Sequence, residues 1–379
     1  MDDSPFAPFP MADAEVPTPA AQPSHLKRVF RNRFGHWRAG WRILVYFVAA
    51  IAVGKVFSTP LKVLVPDHMG ADFTSWLHML VWVVGSLALI LAGLGLLKWF
   101  DRRPMSLLGL GFGPGWLREL LIGLVAGLAM TSGVVLVLIV TRSVSLEFSP
   151  NLGASLAAMP RYLALFTLAG AVEELMFRGY PLQALAEGSR RWIAVVLLCL
   201  PFTIGHFDNP DMTIVGALNV FLLGILLAVI YFKTRRLWMP IGLHLSWNLA
   251  QSWLWGFDVS GIKIDNQLFV INPTGAEVLT GGEFGLEGSV MTSLLSLVVL
   301  GWILFGRTLK PTVETAAMWA RYPSGFGIAP VADTAGEERL TETLHEGAND
   351  PASLADADAD DAMRDFRDAD PEPDPVGPQ

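Results

Sequence analysis

The sequence predicts an all-α fold, a polytopic transmembrane bundle of about eight helices with both termini in the cytoplasm. Three observations lead to this prediction. Hydrophobic residues make up 52% of the 379 residues and charged residues only 16%, whereas soluble proteins carry about 25% charged residues. Apolar runs long enough to cross a bilayer recur along the chain. Basic residues are concentrated in alternate loops between those runs, as the positive-inside rule requires.

Eight apolar runs are candidates for membrane spans, which need roughly 17 to 25 residues each. The first run is interrupted by Lys55 and the fifth is short, so the predicted count is about eight. The runs cover residues 43–65, 76–99, 117–140, 162–180, 192–207, 212–232, 237–257 and 290–305. Glycines inside these runs, at positions 123, 127, 216 and 224, are the small residues that let membrane helices approach each other closely.

The loops between the runs give the orientation. Twelve Lys and Arg residues lie in the loops within residues 98–118, 178–191, 233–236 and 307–310, and only four lie in the alternate loops. Eight spans place all base-rich loops on the side of the basic N-terminal stretch, so we expect a multi-pass protein of the cell membrane. In the longest outer loop, alternating apolar residues around Asn272 and Gly275 predict a small β-hairpin.

Composition divides the chain into three parts. Residues 1–40 comprise a Pro- and Ala-rich segment without bases, which we expect to be disordered and not a cleaved signal, and a basic aromatic stretch suited to an anionic lipid surface. Residues 41–306 form the transmembrane domain. Residues 307–379 form a mostly disordered cytoplasmic tail, whose last 49 residues carry 15 acidic and three basic residues. No basic stripe with interleaved aromatics indicates nucleic-acid binding.

Charged residues inside the fourth run are the first sign of function. Glu174 and Arg178 are four residues apart and share a helix face, so they are expected to form an ion pair. Glu173 points to another face, and its own segment offers no partner. A charge within a span costs on the order of 2.5–3.5 kcal/mol on insertion scales, so an unpaired one is a functional-site candidate.

Two other runs carry polar residues at helical spacing. Phe202 and His206 are four apart in the fifth, and His244 and Asn248 are four apart in the seventh. A carboxylate, two imidazoles and a carboxamide can activate a water and stabilise an oxyanion. The Glu173, His206 and His244 side chains could instead bind a divalent metal such as zinc. Each residue also has a plain explanation, because interhelical hydrogen bonds or a solvated membrane edge can account for it.

These three motifs together resemble the CAAX protease and bacteriocin-processing family, which includes the type II CAAX prenyl endopeptidases. The motifs are EExxxR at Glu173 to Arg178, FxxxH at Phe202 to His206, and HxxxN at His244 to Asn248. They lie within residues 160–255. The resemblance implies an intramembrane endopeptidase that acts on a membrane-associated or lipidated peptide or protein.

The resemblance also implies roles for the motif residues. Glu173 and His206 are expected to activate the attacking water, and the HxxxN pair to stabilise the oxyanion. Glu174, Arg178 and Phe202 are expected to support the site. A metal-dependent and a glutamate-dependent mechanism both remain open at this point, so the cofactor is unknown. Because Arg178 is predicted near the cytoplasmic side and His206 near the outer side, the helices must tilt, shift or break, and Pro201 offers a break.

Two functions from other classes remain as alternatives. A non-catalytic membrane scaffold or bacteriocin-immunity-type binding protein could use the same fold, although a scaffold has no need of all three motifs. A transporter could use Glu173 as a proton site, but it predicts an inverted repeat of broken helices, and the sequence contains no evident internal repeat.

Overall fold

The computed structural model describes residues 29–31, 37–63, 87, 90–306 and 308–320, most of which are helical. The predicted disordered N-terminus, most of the second predicted span and the acidic tail lie outside the described residues. The chain divides into an N-terminal unit, Met1–Arg38, and a main unit, Ala39–Gln379. In the N-terminal unit the rings of Phe30 and Trp37 meet edge to face, with centroids 5.7 Å apart. The helices that carry the three motifs belong to the main unit.

The main unit consists of helices with one small sheet in the described part of the chain. The elements in chain order are α1 (Ala39–Val63), α2 (Ile90–Phe100), α3 (Trp116–Val140), β1 (Val144–Phe148), α4 (Leu152–Arg178), α5 (Tyr180–Gly188), α6 (Arg191–Ile204), α7 (Ile214–Thr234), α8 (Trp238–Leu249), β2 (Phe269–Pro273), α9 (Val290–Phe305) and α10 (Val313–Ala320). A π-helical turn, Ala250–Leu254, continues α8.

Three helical segments are long and apolar enough to cross a membrane, namely α3, the combined segment Leu152–Gly188 and α7. Apolar side chains of α3 face outward, for example Val125 and Leu136, which are 66% and 60% exposed. Contiguous apolar surface of this kind is typical of a surface that contacts lipid. The protein is therefore predominantly helical with the features of a membrane protein. The count of eight spans and the cytoplasmic termini stay predictions.

The helix bounds agree with the sequence pattern where the pattern is long and uninterrupted. The last predicted run, residues 290–305, coincides with α9. The third and sixth runs differ from α3 and α7 by at most two residues at each end. Side-chain caps fix several starts, since Asn151, Thr213 and Ser289 accept hydrogen bonds from the first turns of α4, α7 and α9.

The strand prediction for the outer loop needs one correction. Strands β1 and β2 form an antiparallel pair in which Val144 lies opposite Pro273 and Phe148 opposite Phe269. The predicted hairpin around Asn272 and Gly275 is therefore wrong, because β2 pairs with the segment after α3 and the following residues form a helical turn, Glu277–Thr280. Alternating residues identify a strand, but they do not identify its partner.

Glycines let α3 lie directly on α8. A Cβ atom at Gly123 would come within 2.2 Å of the Met239 carbonyl oxygen, and one at Gly127 would come within 2.1 Å of Ser246 Oγ. No side chain fits at either position. This contact is the most extensive between two helices in the described chain, and it fixes α8, which carries His244 and Asn248. The prediction that small residues mediate close helix approach is confirmed here.

The structure brings the end of α6 to the level of the EExxxR motif without the predicted break at Pro201. Helix α6 continues through Pro201 to Ile204. Helix α4 ends at Arg178, where Gly179 and Pro181 interrupt the backbone, and α5 then continues the helical chain to Gly188. Arg178 is therefore the last residue of α4 but lies inside the combined helical segment Leu152–Gly188. Its guanidinium lies 4.6 Å from the ring centroid of Phe202, so the end of α6 is level with the EExxxR turn.

Candidate active site

A cavity of about 300 Å³ opens between α4, α6, α7, α8 and the loop that precedes α9. Its wall is largely apolar, with contributions from Phe166, Leu223 and Leu243 among others. The polar side chains that line it are Glu173, His206, Asn209, His244, Asn248, Ser260 and Glu287. The four residues predicted to be catalytic thus line one cavity, although they come from α4, from α8 and from the turn after α6.

The second glutamate of the EExxxR motif forms the predicted ion pair. Arg178 Nη1 donates to Glu174 Oε1 over 3.1 Å, and both side chains are almost fully buried. The other end of the guanidinium donates to the Gly224 carbonyl over 3.0 Å. A side chain at Gly224 would press on this group, since its Cβ would lie 3.3 Å from Arg178 Nη2. The pair therefore ties α4 to α7 next to the cavity.

His244 lies between the two glutamates. Its Nδ1 is 3.0 Å from Glu174 Oε1, so an Nδ1–H group donates to the same oxygen that Arg178 contacts. Its Nε2 is 3.7 Å from Glu173 Oε2. Gly170, one turn before the glutamates, lies against the His244 side chain and allows α4 to approach α8. The ring is therefore oriented by Glu174, which the sequence indicated only as a partner of Arg178.

The backbone of α6 orients His206. The residue lies in the turn after α6, and its Nδ1 is 2.8 Å from the Phe202 carbonyl oxygen. The two rings of the FxxxH motif also contact each other, with centroids 4.8 Å apart. In a neutral His206 this hydrogen bond places the proton on Nδ1 and leaves Nε2 as an acceptor. Phe202 therefore supports the site both through its carbonyl and through its ring.

Asn248 lies one turn beyond His244 on α8 and is partly exposed to the cavity. The π-helical turn begins two residues later, and turns of this kind are frequent at functional sites. Within the described residues, no hydrogen bond or ion pair links Glu173 to His206, and the Asn248 carboxamide has no hydrogen-bonding partner. A molecule in the cavity can therefore bind between the Glu173 and His206 side chains and can form hydrogen bonds with the Asn248 carboxamide.

The region that carries these motifs also matches a known protein family. Residues 155–250 match the family model described as type II CAAX prenyl endopeptidase Rce1-like. This region is therefore similar to the CAAX protease family, and the match includes every motif residue from Glu173 to Asn248. No curated protein and no solved structure matches the chain.

The CAAX protease motifs do not form a metal site in the described part of the chain. No group of three His, Cys, Asp or Glu side chains there is placed to hold a metal ion. His206 uses Nδ1 to contact a carbonyl, and both nitrogens of His244 face carboxylates. The three predicted ligands thus line one cavity but form no such group among the described residues, and metal binding stays a prediction.

One acidic residue of the cavity was absent from the sequence prediction. Glu287 lies in a short 3₁₀ turn, Leu286–Gly288, just before α9 and outside the matched region. Its carboxylate is buried and accepts hydrogen bonds from Trp247, Gln251 and Ser260. The glycine-rich stretch before the last apolar run contains two glutamates, Glu283 and Glu287. Composition alone assigns this stretch to an outer loop and does not distinguish the one that reaches the cavity.

Proposed function

We propose that this CAAX protease homologue is an intramembrane endopeptidase that hydrolyses a peptide bond of a membrane-associated or lipidated substrate. The observation that carries the proposal is the shared cavity, because Glu173, His206, His244 and Asn248 all line it. Its volume of about 300 Å³ accommodates a peptide segment together with a water. The apolar wall suits the side chains or lipid of a substrate that enters from the bilayer.

In the proposed reaction, Glu173 and His206 hold the attacking water. Glu173 is 20% exposed and faces the cavity, so its carboxylate can accept one water hydrogen. The Nε2 atom of His206 accepts the other, because Nδ1 is occupied by the Phe202 carbonyl. With both hydrogens directed to acceptors, the water oxygen presents a lone pair to the peptide carbonyl carbon. Glu173 then acts as the general base.

The HxxxN pair is assigned to the oxyanion. When the water oxygen bonds to the carbonyl carbon, negative charge develops on the carbonyl oxygen, and preorganised donors stabilise it. The Asn248 carboxamide can donate one hydrogen bond, and Nε2–H of a doubly protonated His244 can donate a second. Glu174 supports this arrangement because it accepts from Nδ1 and holds the ring in place.

The proton balance closes within the site. Water gives its hydroxyl to the carbonyl carbon and its proton to Glu173. When the tetrahedral intermediate collapses, the carbon–nitrogen bond breaks and Glu173 returns the proton to the leaving amine. The products are a carboxylic acid end and a neutral amine end, and the acid proton then passes to the amine or to solvent, which leaves a carboxylate. No step requires a metal, and the zinc alternative is tested by a chelator, which in our proposal leaves the cleavage rate unchanged.

The cellular setting of the proposal follows the sequence prediction. We infer about eight spans, cytoplasmic termini, contact with membrane lipids and no nucleic-acid partner. The division into a segment before residue 41, a peptidase domain up to residue 306 and a tail also belongs to this proposal. The three membrane-length helical segments and the family match support the membrane setting.

The test compares membranes from cells that express wild type or Glu173→Gln at equal levels. New protein termini are quantified by mass spectrometry. A protease produces termini that appear with wild type only, and these identify the substrate and the cleavage position together. Identical termini from both proteins, combined with full rescue of a deletion phenotype by Glu173→Gln, would overturn the proposal in favour of a non-catalytic scaffold.

A further inference from the structure

The cavity contains a second carboxylate that the proposed reaction does not use. Glu287 is 5% exposed and lines the same cavity as Glu173. Trp247 Nε1 and Gln251 Nε2 each donate to its Oε1 over 3.1 Å, and Ser260 Oγ donates to its Oε2 over 2.5 Å. Trp247 and Gln251 belong to the helix of the HxxxN motif, so this carboxylate is fixed relative to the proposed catalytic residues.

The backbone around Glu287 is held firmly in place. Gly285 has φ +85°, and a Cβ there would lie 1.8 Å from the Asp258 carbonyl oxygen, so only glycine fits. On the other side, Asn219 Nδ2 donates to the carbonyl oxygens of Glu287 and Ser289, over 2.7 and 2.8 Å. Leu286 is completely buried. The chain thus inserts an acidic side chain into the cavity from a rigid turn.

All hydrogen-bond donors to this carboxylate are neutral. Within the described residues, no Lys, Arg or His contacts Glu287, and no Lys or Arg lines the cavity. Buried carboxylates are normally paired with a cation, because neutral donors compensate only part of the desolvation cost. Because Glu173 lines the same cavity, the cavity presents two carboxylates to a molecule that enters it. A positively charged group is the complementary ligand.

We propose that Glu287 binds a positively charged side chain of the substrate, so that the enzyme prefers Lys or Arg close to the bond that it cuts. The inference rests on the proposed function, since it assigns the substrate's chemistry at that site. Trp247 is three residues beyond His244 and Gln251 is seven, so they lie about 4.5 and about 10.5 Å further along the helix axis. An extended peptide advances about 3.3 Å per residue. The basic residue therefore lies within about three residues of the scissile bond.

A purely structural role is the alternative, in which Glu287 only pins the loop to α8. Two substitutions separate these roles. Glu287→Gln removes the charge but keeps the size of the side chain, and its remaining oxygen can still accept from Trp247 and Gln251 while Ser260 Oγ can accept from the new amide. Ser260→Ala removes one hydrogen bond but keeps the charge. A cation site depends on the charge and is lost only in Glu287→Gln, whereas a structural pin responds to both substitutions in the same way.

The experiment uses the purified full-length protein in a non-ionic detergent and a peptide library made by cleaving a proteome after aromatic residues. Cut peptides are sequenced by mass spectrometry. We expect wild type to enrich Lys or Arg at one fixed position by about tenfold, the effect of one charge-assisted hydrogen bond. Glu287→Gln loses this enrichment and Ser260→Ala retains it. Because enrichment is a ratio within one variant, a change in overall activity does not affect it.

A binding measurement separates this inference from the proposed function. The same library is passed over immobilised Glu173→Gln protein and over the Glu173→Gln/Glu287→Gln double variant. If Glu173→Gln retains basic peptides and the double variant does not, the cation site is supported. This holds even if wild type cuts no peptide and the protease proposal fails. The cation site is overturned if the cut and the retained peptides contain Lys and Arg at the same frequency for all variants. If cleavage still depends on Glu173 in that case, the protease proposal is unaffected.

Discussion

The structure contains two groups of buried charges, and they differ in whether anions and cations balance. The four-charge cluster consists of Arg42, Asp101, Arg103 and Glu187. It joins α1, the segment after α2, and α5. Arg42 contacts both carboxylates, and Arg103 contacts Glu187. Two cations meet two anions, and all four side chains are at most 9% exposed.

In the cavity the charges do not cancel. Glu174 and Arg178 form a buried pair, whereas within the described residues the ion-pair contact of Glu173 is to His244, at 3.7 Å, and the donors to Glu287 are neutral. A buried charge is costly unless it is paired, so unpaired ones are retained where chemistry or binding needs them. The four-charge cluster therefore holds helices together, whereas in the proposed function the cavity charges act on a substrate.

The largest expected effect is on stability and comes from the four-charge cluster. Arg42→Met removes the cation that contacts Asp101 and Glu187 and leaves two buried carboxylates. We expect the free energy of unfolding to fall by about 3–5 kcal/mol, as for other broken buried pairs. Unfolding of the purified protein in detergent micelles measures this change. A loss below about 1 kcal/mol would show that the cluster is not a structural element.

The next effect is on catalysis. Asn248→Ala removes a carboxamide that makes no hydrogen bond within the described residues but lines the cavity. We expect the rate of peptide cleavage to fall by about 10²–10³, which is typical for loss of an oxyanion donor. The free energy of unfolding is expected to stay within about 0.5 kcal/mol of wild type. Unchanged cleavage by this variant would remove Asn248 from the proposed mechanism.

Glu174 should combine both kinds of effect, because its Oε1 accepts from Arg178 and from His244. Glu174→Gln leaves Arg178 and the His244 ring with a neutral acceptor and so weakens both hydrogen bonds. We expect a loss of about 1.5–3 kcal/mol in stability, the range for hydrogen bonds to charged groups. The cleavage rate should also fall by at least about tenfold. A variant that loses stability but keeps the full rate would restrict Glu174 to a structural role.

The smallest expected effect is a pH dependence in the loop next to the cavity. Burial raises the pKa of Asp258 to about 6, and Glu283 and Asp211 add to this shift while Lys263 opposes it. The folded state thus favours the protonated carboxyl, so stability decreases as the pH rises from about 4 through 6. Because Asp258 is partly exposed, the change is at most about 1 kcal/mol. Asp258→Asn should abolish it in unfolding measured between pH 4 and 8.

Sequence patterns predicted those features that depend on local spacing. The i to i+4 spacing of Glu174 and Arg178 predicts their ion pair, and the hydrogen bond at 3.1 Å confirms it. Gly123 and Gly127 predict close helix packing, which α3 and α8 show. The run at 290–305 predicts α9. These relations lie within one helix or depend on side-chain size alone, so they need no knowledge of the tertiary fold.

Relations between distant segments could not be obtained in this way. The pairing of β1 with β2 joins strands about 125 residues apart, and an alternating pattern does not specify that partner. Glu287 reaches the cavity only because Gly285 and Asn219 fix its turn. The contact of His244 with Glu174 similarly depends on how α4 and α8 approach each other. Spacing along one helix contains no information on such contacts.

Carboxylates of the two groups are expected to serve different purposes, and one matched pair of variants tests this difference most directly. Glu173→Gln and Glu187→Gln are the same chemical change in the cavity and in the four-charge cluster. Cleavage rate and free energy of unfolding are measured for both, with a substrate identified by the terminus comparison. We predict that Glu173→Gln lowers the rate by about 10²–10⁴ and barely changes stability, whereas Glu187→Gln costs about 3 kcal/mol of stability and leaves the folded fraction active. A Glu173→Gln protein that cleaves at the wild-type rate, or a pair of variants with the same profile, would contradict the account.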